Sequence, residues 1–252
     1  MLSFKLFRYL VLVFVLCAGS AQAQPNAETI IRATVDNWRG LTSVGEVTMT
    51  IHRRDWERSM SMKAWTQGDD QSLVRVTAPA KDAGNATLID GDDMWSYAPR
   101  INRVIKIPSS MMAQSWMGSD FSNKDITKST DVLDNYTHVL IDQGEHEGIT
   151  TYVIESTPHE DAPVVWGKEV YTIRADYVIL RQEFWSQDGE LVKYMVSSDI
   201  VEMDGRKVAA RIRMQPADND DEWTEIVQQS IEFDVALSGS TFTQANLRNP
   251  RQ

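Results

Sequence analysis

The chain has 252 residues, 42% of them hydrophobic and 24% charged, a formal net charge of −11 and a single cysteine. That composition is ordinary for a globular domain, and its negative charge repels phosphate backbones and anionic headgroups, which argues against nucleic acid and against tight adhesion to an anionic membrane surface. The length suits one large all-β domain or two small ones.

The first 23 residues have the order of a secretory signal: Lys5 and Arg8, the apolar run "YLVLVFVLCAGS", then Ala21-Gln22-Ala23. Cleavage after Ala23 predicts a soluble mature chain that starts at Gln24, with residues 24–252 forming a single domain. Loss of Lys5 and Arg8 moves the formal charge from −11 to about −13. The apolar run is short for a membrane span, and no later window is long and apolar enough to be one. Cys17 falls inside the signal and follows Leu16 rather than a small residue, which disfavours the alternative of a lipid-anchored cysteine. The mature chain then has no thiol, no disulfide and no cysteine-ligated metal.

Asn26 is placed to cap a helix in which Ile30, Ile31, Val35 and Trp38 recur at helical spacing, and Gly40 is placed to stop it. The period then changes to two. Val47, Met49 and Ile51 alternate with polar neighbours, as do Met60, Met62 and Ala64 across a short connection, which predicts a strand pair. Alternating runs follow at 72–76, 86–90, 94–98, 102–107, 138–142, 151–156, 169–174, 178–185, 191–200, 207–214 and 225–235. Gly68-Asp69, Asp90-Gly91, Glu147-Gly148, Asp188-Gly189 and Asp204-Gly205 punctuate them as hairpin turns. The pattern is an antiparallel meander of about ten or more strands with few helices.

A sheet of that size must curl into a barrel, fold into a sandwich or wrap around something. Alternation groups Ile101, Arg103, Ile105 and Ile107 on one face, Val178, Leu180 and Phe184 on another strand, and Trp223, Val227, Ile231 and Phe233 on a third. These faces form either a closed sandwich core or the wall of a cavity. The segment "SSMMAQSWMGSDFSNKDI" bears on the choice, because Met111, Met112, Trp116, Met117 and Phe121 stand in an otherwise polar, aperiodic stretch. On short irregular helices they form a lid over a curved sheet, with Gly118 as a hinge; unbranched methionine suits a surface that repacks around variable partners. Plain core filler is the other reading of the methionines, including Met94 and Met195 in the strands.

Signals for catalysis or metal binding are weak. His52, His138, His146 and His159 are scattered, with no pair at helical metal spacing, and His146 and His159 read as turn residues. "MGSDF" lacks the flanking pattern of a nucleophile elbow. Asp218-Asn219-Asp220-Asp221-Glu222 lacks the ligand spacing of a calcium loop and reads as a solvated hairpin tip. No catalytic residue, metal site or cofactor is expected.

Residues 78–126, "APAKDAGNATLIDGDDMWSYAPRINRVIKIPSSMMAQSWMGSDFSNKDI", resemble the signature block of the outer-membrane lipoprotein-sorting family, relatives of the carrier LolA and its receptor LolB. The matching features are Pro79 and Gly84, the run Trp95-x-Tyr97-x-Pro99, Arg103, Pro108, the stretch from Met117 to Ser122, and Asp125; the terminal "STFTQANL" is similar to the family's closing segment. The resemblance implies a mainly β fold: one strongly curved, unclosed antiparallel sheet, a half-barrel, with a few short helices as a lid over an apolar cavity. It also implies a non-enzymatic periplasmic carrier or receptor for acyl chains of lipoproteins or other lipids. Its cargo would come from an inner-membrane transporter of the RND or ABC type, and membrane contact would be transient. The residues expected to line the cavity and lid are Met49, Met60, Met62, Trp95, Tyr97, Arg103, Ile105, Met111, Met112, Trp116, Met117 and Phe121. Arg103, on the apolar side of its strand by alternation, either bonds lid carbonyls or a headgroup, or reaches the rim and pairs with an acid. A packed envelope scaffold and a lipid-acting hydrolase are the rival readings.

Overall fold

The computed structural model describes residues 26–127, 130–162 and 164–250; the expected signal peptide, residues 1–23, lies outside them. Helix α1, Ala27–Arg39, is capped by Asn26, whose side chain accepts from the Glu28 amide, and ends at Gly40 with φ of 66°. Its buried face carries Ile30, Ile31 and Val35.

Six strands follow: β1 (Thr42–Arg53), β2 (Trp56–Gln67), β3 (Gln71–Ala78), β4 (Ala86–Asp90), β5 (Asp93–Ala98) and β6 (Arg103–Lys106). After a long crossover containing α2 (Asn123–Thr127) come β7 (Tyr136–His146), β8 (Ile149–Pro158), β9 (Lys168–Arg174), β10 (Ile179–Trp185), β11 (Leu191–Met203), β12 (Arg206–Pro216) and β13 (Trp223–Phe233), then α3 (Gln244–Arg248). They form one thirteen-stranded sheet in the order β6-β5-β4-β3-β2-β1-β13-β12-β11-β10-β9-β8-β7. Each pairing is antiparallel. The first and last strands meet in the middle, and the edges β6 and β7 stay unpaired with each other, so the sheet is open as the family resemblance implied. Tight turns such as Asp204-Gly205, with φ of 47° and 75°, join neighbours. Bulges in five pairings, for example at Leu140/Asp142 and Ser61/Met62, add the twist that bends so large a sheet.

A bulge also explains one departure from the alternation pattern. The β1–β13 register slips between Glu46 and Val47, where partners jump from Ser230 to Gln228. Ile231 and Phe233 therefore face inward on one side of the slip, and Ile226 on the other. Trp223, expected inside with Val227, instead stacks on His52 at 4.9 Å on the outer face, and Val227, next to Ile226, shares that outer phase.

The concave face is filled at both ends. At one end Met49, Ile51, Met60, Met62, Val76, Ile89, Met94 and Trp116 pack together, all at most 5% exposed. At the other end α1 presses Ile30, Ile31 and Val35 onto Tyr136, Ile154, Tyr171 and Ile173. The convex face of β3 to β5 is covered separately: Phe242 and Leu247 of the closing segment pack on Leu73, Ala86, Leu88 and Tyr97. Arg75 ties that segment down through the carbonyls of Asn246 at 2.7 Å and Leu247 at 3.2 Å.

Candidate functional site

The crossover from β6 to β7 spans the concave face from one sheet edge to the other. A 3-10 turn at Ser109–Met111 opens it, and Met117 and Gly118 reverse the chain with φ of 53° and 82°. The Trp116 amide then donates to the Phe121 carbonyl at 2.7 Å. Ser122 and Asp125 form a reciprocal cap for α2: the Ser122 amide donates to the Asp125 carboxylate at 2.7 Å, and the Asp125 amide to the Ser122 hydroxyl at 3.1 Å.

Polar contacts centred on Asp120, Lys193 and Trp116 hold this lid to the sheet. Asp120 accepts from the Arg53 guanidinium at 3.0 Å and from the Thr224 hydroxyl at 2.6 Å. Lys193 pairs with Asp125 and donates to the Asp120 carbonyl at 3.1 Å. Trp116 is buried among the methionines and donates from Nε1 to the Thr87 hydroxyl at 3.1 Å. The carboxylates and cations in these latches are 15% exposed or less, so removing one partner strands a charge that water screens poorly.

Between the two filled ends the lid covers a cavity of about 400 Å³. From α1 come Ile31, Val35 and Trp38, from the lid Phe121, Ile126 and Val132, and from the loop before β9 Val164 and Trp166. The sheet contributes Val74, Phe184, Met195, Ile212, Met214 and Ile231, together with the short side chains Ala64, Ser72 and Ser197. The space exists because the sheet offers short side chains here, and the lid sends Trp116 the other way. Val165 and Tyr177, 43% and 41% exposed, mark the cavity's solvent side. Gly167 lets the loop cross close to the sheet: a Cβ there would lie 2.4 Å from the Ser186 carbonyl oxygen.

One patch of the wall is polar. Glu169 is 7% exposed and accepts from the Tyr136 hydroxyl at 3.1 Å, from the Gln182 amide at 2.8 Å and from the Tyr171 hydroxyl. Burial pushes the Glu169 carboxyl above the ordinary carboxylate range, opposed by these three donors, and the same environment raises both tyrosines. Nearby on α1, the Thr34 hydroxyl is 2% exposed and has no hydrogen-bond partner among the described residues. The cavity's cations are held within the protein: Arg39 bonds the Gln71 carbonyl at 2.8 Å and the Gly68 carbonyl, and Lys124 lies 3.7 Å from Asp131.

Of the twelve residues expected to line cavity and lid, Phe121 reaches the cavity wall. Met49, Met60 and Met62 are solid core at 2% exposure or less, and Trp116 packs on them. Met117 leans on the same cluster, and Met111 and Met112 are half-buried in the lid. Trp95 and Tyr97 require correction. They belong to the convex face, because Met94 between the lid and the sheet fixes the opposite phase of β5, and the closing segment covers them. Arg103 and Ile105 also require correction: Ile105 sits opposite Ser96 on the concave phase, but β6 is the edge strand and extends past the lid, leaving Ile105 46% exposed and Arg103 exposed. Among the described residues neither proposed role of Arg103 has an observed partner. Sequence reading missed Tyr136, Glu169, Tyr171 and Gln182; the alternation Glu169, Tyr171, Ile173 carried the signal, a carboxylate in phase with an apolar strand face.

The model of a family described as "Uncharacterized protein" matches residues 68–249. No curated protein matches the sequence. Among solved structures, a DUF1329 family protein from Desulfovibrio piger is 26% identical, with 88% of this chain and 97% of that one covered and a TM-score of 0.79. An outer membrane lipoprotein-sorting protein domain from Vibrio parahaemolyticus superposes with a TM-score of 0.75 at 21% identity, covering 88% and 100%. A LolA superfamily protein from Nitrosomonas europaea does so with 0.73 at 20% identity, covering 88% and 99%. The chain belongs to the family whose model matches residues 68–249, and its fold is that of the lipoprotein-sorting proteins of the LolA superfamily.

Proposed function

We propose that this protein is a periplasmic carrier or receptor that shields acyl chains of lipoproteins or other lipids in its cavity and passes them towards the outer membrane. The carrying observation is the lidded, mostly apolar cavity of about 400 Å³, a volume within the roughly 300–1,000 Å³ of ligand sites generally. Each methylene withdrawn from water contributes about 0.8 kcal/mol, so one acyl chain supplies roughly ten kcal/mol before entropic costs. Capture is easy and release is hard. A lid seated on the Met-packed end and held over the cavity by a few polar latches suits that need, because the latched part can exchange its contacts for a partner's. An inner-membrane transporter delivering the cargo is the partner that the family resemblance supplies.

A scaffold with a packed core fits the Met-filled end of the sheet but not its open middle. For a lipid-acting hydrolase, the cavity wall among the described residues offers no histidine to activate a nucleophile, and Glu169 is engaged by three donors. The test is native mass spectrometry with lipid extraction on protein purified from the periplasm without detergent. Bound acylated species are the expected result. A chain that stays free of added mass when challenged with lipid and lipoprotein would overturn the reading.

A further inference from the structure

The Glu169 patch has a direction of hydrogen bonding that the acyl-chain reading leaves unused. Each protein donor in it is already committed: the Tyr136 hydroxyl to one carboxylate oxygen, the Tyr171 hydroxyl to the other, and the Gln182 amide to both Glu169 and the Tyr171 oxygen, at 2.8 and 3.0 Å. What remains toward the cavity is mostly acceptor capacity: carboxylate and phenol lone pairs, together with the Thr34 hydroxyl, which has no partner among the described residues and both accepts and donates. A buried polar group with spare acceptors costs free energy until a donor arrives. The cations on and behind the wall do not offset this toward an anion, since Arg39 bonds backbone carbonyls, Lys124 stands by Asp131 and, behind the wall, Lys193 pairs with Asp125.

We infer that this patch recognises the polar end of the cavity's ligand, and that this end is a hydrogen-bond donor, best satisfied by a protonated amine on an apolar chain. The inference rests on the proposal that the cavity takes up such chains, and adds to it a selectivity that hydrophobic burial alone lacks. A phosphate or carboxylate end would meet the lone pairs of Tyr136, Tyr171 and Glu169 and the negative potential of Glu169, with Asp125 also near, and would find a free donor in Thr34 alone among these groups. An ammonium would satisfy those lone pairs. Burial that drives Glu169 towards its neutral acid is relieved when a cation sits against it, so ligand and carboxylate stabilise each other's charge.

The test compares three probes of equal chain length, dodecylammonium, dodecanol and dodecanoate, binding the full chain below their micelle concentrations at neutral pH, by calorimetry. The ammonium is expected to bind at least about tenfold tighter than the carboxylate, the scale of one charge-assisted hydrogen bond, with the alcohol between them. Glu169→Gln is expected to shrink the ammonium's advantage over the alcohol to under about threefold, while the general negative charge of the protein stays nearly the same. Thr34→Val, which keeps the side-chain volume, is expected to weaken ammonium and alcohol alike. Equal affinity for all three probes would overturn the polar-end inference and leave the acyl-chain reading standing. Tighter binding of the carboxylate, or an ammonium preference unchanged in Glu169→Gln, would also overturn it. Binding of none of the three would overturn both, and the wild-type ranking decides the matter even if a variant folds poorly.

Discussion

One lid and one sheet face make two different environments a few residues apart. Over β1 to β5 the lid meets Met49, Met60, Met62 and Met94, inserts Trp116 among them, and leaves no room. Over the sheet's middle the same lid meets Ala64, Ser72, Ser197 and the branched residues around them, and a cavity of about 400 Å³ remains. Methionine is unbranched and adapts to irregular gaps, so a Met-rich face closes on itself. Short side chains beneath a lid that is anchored elsewhere cannot close, because the anchors fix its height. The filled end is thus the lid's foundation, and the open middle is free to be shaped for a ligand.

The largest effect expected from that contrast is at the foundation. Met49→Ala, at a position with no exposure, should destabilise the fold by about 2–5 kcal/mol. Met195→Ala, on the wall of the existing cavity and half-buried, should cost less than about 1.5 kcal/mol. Urea unfolding of both variants checks the difference. Equal losses would mean that the cavity wall is as tightly supported as the packed end.

Next is the latch. Asp120→Asn keeps the shape but removes the charge facing Arg53, which lies 15% exposed, and should cost about 1–3 kcal/mol. The loss should be local: amide exchange within 116–127 should quicken while the Met-packed strands keep their protection. Uniformly faster exchange would show that lid and sheet open only as one unit.

Glu169 supplies a pH signature for the open region. Its folded-state value is raised above the ordinary 4.5 by burial. Its contribution to stability is therefore fully present below the unfolded value and is lost as pH rises through the folded value. His138, lowered by burial under α1, works the other way: its contribution is present above its ordinary 6.5 and is lost on acidification. Comparing wild type with Glu169→Gln cancels the histidine. The stability of wild type relative to the variant should fall as pH rises from about 4.5, read from urea midpoints along a pH series. A difference independent of pH would mean that Glu169 titrates alike in the folded and unfolded chain.

Much of this architecture was legible in the sequence. The Asn26 cap, the helical period up to Trp38, the two-residue period of the strands and the Asp204-Gly205 turn each encode local geometry, and the structure realises each of them. Which residues surround the cavity was less legible, for a physical reason. Alternation assigns a strand residue to a face, but it does not say which part of that face is covered. Ile105 has the correct phase for the concave side and is exposed because its strand is an edge. Trp95 and Tyr97 look like cavity residues until Phe242 and Leu247 are brought onto the convex face from a distant part of the chain. Met49, Met60, Met62 and Met94, conspicuous by type, mark the place where the cavity ends, whereas Met195 lines it. The polar patch was hidden by the opposite effect, since Glu169, Tyr171 and Gln182 lie on two adjacent strands and only pairing brings their side chains together.

The smallest change in stability belongs to the mutation that most sharply separates the two regions. Ala64→Leu places three more carbons on the cavity wall, beside Val74 and Ile231 and beneath the lid. In a packed core such an insertion costs about 1–3 kcal/mol, because neighbours must move. Here space already exists, so the net change should stay within about 1 kcal/mol, burial of the new carbons offsetting any adjustment. Ligand uptake should respond quite differently, falling at least about tenfold as the added side chain takes the place of roughly two or three ligand methylenes. Dodecylammonium and dodecanol should lose affinity together, since the blocked volume is apolar and lies on the opposite side of the cavity wall from β9. Unchanged uptake in a stably folded Ala64→Leu protein would move the binding site away from the covered middle of the sheet, and the short side chains there would then need another explanation.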